Sequence, residues 1–79
     1  MRVLAEIPHP ACKINIFQWN NKYLIKIEDG ALEQTYKIDM TDVLDEKELY
    51  QVIDEAFIQE CLKNFQSMEL LLRSTIAKL

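Results

Sequence analysis

From Lys13 to Trp19 the chain reads KINIFQW, and from Lys22 to Asp29 it reads KYLIKIED. Ile14 and Ile16 alternate with other residues, as do Ile25 and Ile27, which is the period-two pattern of strands that bury one face. Asn20-Asn21 between them suits the positive φ angles of a two-residue type I′ turn. That turn sets a register in which Ile16 faces Ile25, Ile14 faces Ile27 and Gln18 faces Tyr23 on one side. The other side pairs Phe17 with Leu24, Asn15 with Lys26, Lys13 with Glu28 and Trp19 with Lys22. Isoleucine against isoleucine and lysine against glutamate favour this register over its neighbours.

Asp29-Gly30 is the strongest short hairpin signal in the chain. A turn centred there predicts a third strand in which Leu32 faces Ile27, Tyr36 faces Tyr23 and Lys26 faces Glu33. One predicted pair is unfavourable: Lys22 falls opposite Lys37, a like-charge contact costing a few tenths of a kcal/mol unless an anion sits between them. Upstream, RVLAEI followed by Pro8 and Pro10 fits an additional edge strand, since proline cannot donate to a ladder.

After Thr41 the spacing of apolar residues changes to three and four. Asp45 and Glu48 form a capping box, with Leu44 and Leu49 flanking it as a hydrophobic staple. Apolar residues then recur at Leu49, Val52, Ile53, Ala56 and Phe57, and from Ile58 to Leu79, with no glycine or proline between. One helix over this span would be roughly 50 Å long, against a radius of gyration of about 12 Å for a domain this size. The stripe changes phase near Asp54, where an Asp-Glu pair can start a second helix, so the pattern predicts helices over 46–53 and 55–77.

These elements make an α+β fold: a three- or four-stranded antiparallel meander with two C-terminal helices packed on its isoleucine face, in the order (β)βββαα. Residues 1–79 form one domain, with strands in 1–40 and helices in 41–79. A chain of this length buries roughly 60 to 65 percent of its unfolded surface, which makes a lone monomer marginal and favours pairing.

Composition narrows the function. The formal net charge is −4, and the deficit sits in TDVLDEKELYQVIDEA, which works against non-specific nucleic-acid binding. The first residues, MRVLAEIPHP, hold too few apolar side chains for a signal peptide, no run is long enough to span a membrane, and the expected location is cytoplasmic. Cys12 and Cys61 read as reduced, semi-buried apolar residues. His9 and Cys12 spell H-x-x-C, but zinc needs three or four ligands and only Glu6 and Cys61 are obvious recruits, so no metal or cofactor is expected. The carboxylates Asp42, Asp45, Glu46 and Glu48 lack the spacing of a calcium loop and read as a solvated helix start. A nucleophilic enzyme would need His9 brought against Cys12 or Cys61, within about 5 Å for direct priming.

Two surfaces stand out. On the second side of the sheet, Phe17, Trp19 and Leu24 share a face with Lys13, Lys22, Lys26 and Lys37. Aromatics among lysines can stack the bases of single-stranded nucleic acid, with a phosphate between Lys22 and Lys37. They can equally form a protein interface, or be covered by the N-terminal segment or the chain's own helix. In the last helix, Ile58, Cys61, Phe65, Met68, Leu72, Thr75 and Leu79 fit heptad positions, and Leu62, Leu70, Leu71 and Ile76 widen the apolar surface beyond one stripe. Leu70 falls with Lys63, Ser67 and Ser74 on the polar side.

The segments IPHP, IFQWNNKY and EQTYK resemble those of a family of short uncharacterised bacterial proteins. The resemblance covers about the first half of the chain and implies a self-contained small protein, with no activity or binding residue attached. The sequence as a whole points to a non-catalytic binding protein that pairs with a second copy of itself or with another protein. Phe17, Trp19, Leu24, Lys13, Lys22, Lys26, Lys37, Leu70 and Leu71 are the candidate contact residues, and single-stranded nucleic acid is the alternative ligand.

Overall fold

Two hairpin turns and one N-terminal extension build the sheet in the computed structural model, which describes residues 1–79. Strands β1 (Arg2–Ile7), β2 (Lys13–Trp19), β3 (Lys22–Asp29) and β4 (Leu32–Asp39) lie side by side in chain order, all antiparallel. A short 3₁₀ turn (Met40–Asp42) leads to α1 (Glu46–Val52) and α2 (Glu55–Ile76). The order is ββββαα, the predicted α+β arrangement with the optional strand present.

Asn20 and Asn21 adopt φ of 51° and 62°, as a type I′ turn requires. The β2–β3 register follows from it, with Ile14 opposite Ile27, Ile16 opposite Ile25 and Trp19 opposite Lys22. The second hairpin departs from the expected pairing by two residues: Ile27 faces Gln34, Ile25 faces Tyr36, and Lys22 faces Asp39 instead of Lys37. The turn residues are Gly30 and Ala31, and only Gly30 has positive φ, at 60°. Glycine thus takes the first central position, the type II′ solution, and Asp29 returns to the strand instead of adopting the left-handed backbone that a type I′ turn centred on Asp29-Gly30 would demand. A shift of two keeps every side chain on its expected face. It replaces the Lys22/Lys37 repulsion with a Lys22–Asp39 ion pair at 3.8 Å, while Glu28 now faces Glu33.

β1 forms one edge. Its register slips between Val3 and Ala5, so Leu4 is a bulge residue, and both Leu4 and Ala5 pack toward the core. The strand stops before Pro8.

The helices cover the isoleucine face. Ile14, Ile16, Tyr23, Ile25 and Ile27 meet Leu49, Ile53, Ile58, Cys61 and Phe65 in one core. The break between helices falls where the phase shift predicts it, and each helix has its own aspartate cap. Asp45 Oδ1 accepts from the Glu48 amide and Asp54 Oδ1 from the Phe57 amide, both at 2.9 Å. The Leu44–Leu49 staple does not form: Leu44 is 92% exposed while Leu49 is fully buried. Gln34, the buried polar residue of the core, donates from Nε2 to the Cys61 carbonyl at 2.7 Å and accepts from the Tyr36 hydroxyl at 2.7 Å. It fastens β4 to the first half of α2.

Candidate interaction surfaces

The second face of the sheet has no helix over it. β1 lies in the plane of the sheet and adds Val3 beside Phe17, so the N-terminal segment extends this face and does not cover it. Trp19 is 47% exposed and Val3 63% exposed. Leu24 differs from the other candidates. Flanked by Phe17 and Lys37 in the cross-strand row, it is only 6% exposed and offers a partner little surface.

The lysines are less available than their number suggests. Lys22 pairs with Asp39, and Lys26 lies 3.5 Å from Glu33 with its Nζ 5.6 Å from the centre of the Phe17 ring. Lys13 stands opposite Glu28 without closing an ion pair. Asp39 is held below the ordinary carboxylate range first by the Thr41 amide and then by the Thr41 hydroxyl, with Lys22 contributing less. The slot for a phosphate between Lys22 and Lys37 is therefore absent, because Asp39 occupies the position opposite Lys22.

The second surface is the far end of α2. Ile58, Cys61 and Phe65 are buried and Met68 is half-buried, but from Glu69 to Leu79 every residue is exposed. Leu70, Leu71, Leu72 and Ile76 are 70%, 68%, 37% and 52% exposed. The helix of 22 residues runs roughly 33 Å, past the tip of the β3–β4 hairpin, and stretches the molecule to 45 × 25 × 18 Å with a radius of gyration of 14.2 Å. Beneath the overhang, Leu72 and Ile76 share an open groove of about 670 Å³ with Ala31 and Leu32 of the hairpin tip, rimmed by Glu69 and Arg73.

A third cluster joins His9, Cys12 and Glu55. His9 Nε2 lies 3.1 Å from both Glu55 carboxylate oxygens, and Cys12 Sγ lies 3.8 Å from Nδ1. This is inside the reach set for a cysteine–histidine pair, yet the surroundings oppose a reactive thiol. Nδ1 already accepts the Ala11 amide at 3.1 Å. Burial, with Asp29 adding to it, pushes the Cys12 thiol up, and burial does the same to Cys61. A nucleophilic cysteine needs the opposite shift. The arrangement acts as a clasp from the β1–β2 loop to the first turn of α2, and Glu55 is held low first by Gln59 and then by His9. Cys12 and Glu55 sit at opposite nitrogens of the His9 ring, so the three do not converge on one point as metal ligands do, and no helix is long and apolar enough to cross a membrane.

The sequence pattern marks Leu70 and Leu71 as contact residues, sets Leu72 and Leu79 in the heptad seam and Ile76 beside it, and does not say which part of that surface stays uncovered. Only the length of β4 relative to α2 separates the two parts. No family model matches the chain, and no curated protein or solved structure is detectably similar to it.

Proposed function

We propose that this protein acts by protein–protein contact and that its partner is a second copy of itself, joined through the overhanging end of α2. The observation that carries this reading is the continuity of one apolar stripe. Ile58, Cys61 and Phe65 cover the sheet, and Leu72, Ile76 and Leu79 prolong the same stripe into solvent. Side chains of this size gain about 1.5 to 3 kcal/mol each when fully buried, so the uncovered stripe is a standing drive to associate. Size points to a second copy: only 12 of 79 residues are buried, and domains with so small a core commonly gain stability by pairing. The groove beside Leu72 and Ile76 provides a seat for the partner's helix end, and its rim carries both signs of charge, Glu69 and Arg73, so it does not repel a copy of itself.

Light scattering of the purified protein over a range of concentrations tests the reading. The expected mass exceeds that of one chain and rises with concentration, and the paired substitution Leu72→Glu with Ile76→Glu lowers it. A strictly monomeric mass at high micromolar concentration overturns it. Single-stranded nucleic acid on the Trp19 face is the weaker reading, since Lys22 and Lys26 are engaged with carboxylates. It requires a Trp19 fluorescence response to oligonucleotides that fades with salt, and no response at low salt removes it.

A further inference from the structure

The two edges of the sheet are built differently. β1 carries a bulge at Leu4 and ends at Pro8, devices that discourage another strand from pairing. β4 runs eight residues, LEQTYKID, without bulge or proline. The closing pair of its two-residue turn, Asp29 and Leu32, exchanges both N–H···O bonds, so alternate residues from Leu32 onward bond inward to β3. The Met40 amide, donating to the Asn21 carbonyl at 3.0 Å, continues that alternation at the far end. Glu33, Thr35 and Lys37 therefore point their backbone N–H and C=O groups away from the sheet. No backbone or side-chain group of the chain bonds to them there.

We infer that the free edge of β4 is a self-pairing surface, separate from the helix overhang, at which two copies join antiparallel about Thr35 into one eight-stranded sheet. Charge selects this register. Centring the two-fold axis on Thr35 sets Glu33 opposite Lys37 of the second copy, and Lys37 opposite Glu33 of the second copy. The outward-pointing backbone groups of Glu33, Thr35 and Lys37 then meet their counterparts. On the helix-covered face the same register brings Leu32 against Ile38 and Gln34 against Tyr36, closing over a tyrosine that is 36% exposed. Neighbouring registers of the same hydrogen-bond parity oppose Glu33 to Glu33, Lys37 to Lys37 or Glu33 to Asp39, or leave the charges unmatched. Lys37 has no carboxylate partner in its own chain, and Glu33, whose Oε1 meets Lys26 at 3.5 Å and the Thr35 hydroxyl at 2.9 Å, keeps its second carboxylate oxygen for it. The axis stands perpendicular to the sheet, so the helices of both copies lie on one face of the joined sheet. Because each contact is two-fold and uses its own patch, a chain with both passes beyond the dimer.

The test uses the chain carrying Leu72→Glu and Ile76→Glu, which disables the helix contact and leaves the edge alone. This chain is expected to remain a dimer. Adding Glu33→Lys or Lys37→Glu creates two like-charge pairs across the axis and weakens the dimer about tenfold or more. Mixing the two singly reversed chains makes both pairs complementary again and restores a mixed dimer. In hydrogen exchange, the Glu33, Thr35 and Lys37 amides slow as concentration rises, while those of Gln34 and Tyr36, already bonded to β3, do not respond. Single reversals that leave the mass unchanged, mixing that restores nothing, or Thr35 exchange independent of concentration each overturn the pairing. The helix reading fails by a different result, namely a wild-type mass that the Leu72 and Ile76 substitutions do not alter.

Discussion

The first and second halves of α2 have the same apolar spacing and opposite environments. Ile58, Cys61 and Phe65 are 4%, 1% and 3% exposed, whereas Leu72 and Ile76 are 37% and 52% exposed. Nothing in local helix chemistry separates them. The difference is what lies beneath: the seated half rests on the isoleucines of β2 and β3 and is fastened to β4 by Gln34, while the other half meets only the hairpin tip, across an open groove. Amphipathicity therefore says that a helix has a face to bury, and the extent of the neighbouring layer says how much of it is buried within one chain.

The largest effect should come from emptying the seated half. Phe65→Ala removes a buried ring and is expected to cost about 3 to 4 kcal/mol in urea or thermal unfolding. Leu72→Ala, measured at concentrations where the protein is monomeric, should cost under about 1 kcal/mol and act on the associated mass instead. Equal losses at the two positions would break the comparison. Next in size is Asp54→Ala, which removes the cap from the seated end and should cost about 1 kcal/mol, with no change in the association of the overhang.

The smallest effect is acid sensitivity of the seated end. Glu55 lies below its ordinary value near 4.5, through Gln59 first and His9 second, and Asp39 lies below its ordinary 3.8, through Thr41. A carboxylate whose value is lowered on folding adds stability in full above its unfolded value and loses it as pH falls through the folded one. Stability should therefore decline slightly as pH drops below about 4.5, and Glu55→Gln should flatten part of that decline in pH-dependent melting. A stability loss confined to pH above 6 would contradict the assignment.

Much of this was legible beforehand. The first hairpin was readable because Asn20-Asn21 admits essentially one turn geometry, and the ladder then follows by counting. The second was readable as to face but not as to partner. Asp29-Gly30 and Gly30-Ala31 are both acceptable turns, they differ by two in register, and a shift of two leaves the hydrophobic pattern unchanged. The cross-strand charges do not decide, since the Lys22/Lys37 contact gives way to Glu28/Glu33; the choice falls on backbone strain at the turn, where Gly30 alone takes positive φ, and it deleted the phosphate slot that had made the lysine face attractive. Asp45 and Asp54 announced both helix starts because capping is a local interaction. The Leu44 staple failed because its partner, Leu49, is taken up by the core.

By its sequence alone this protein was bound to a sheet with one isoleucine face, two capped helices and an apolar stripe longer than one small sheet can use, since periodicity, turn residues and caps act over a few neighbours. Where α2 runs off the sheet, which edge of that sheet is left bare, and which lysines are already engaged were decided by the tertiary structure. Those features depend on how the lengths and registers of separate elements meet in space, and no stretch of neighbouring residues encodes them.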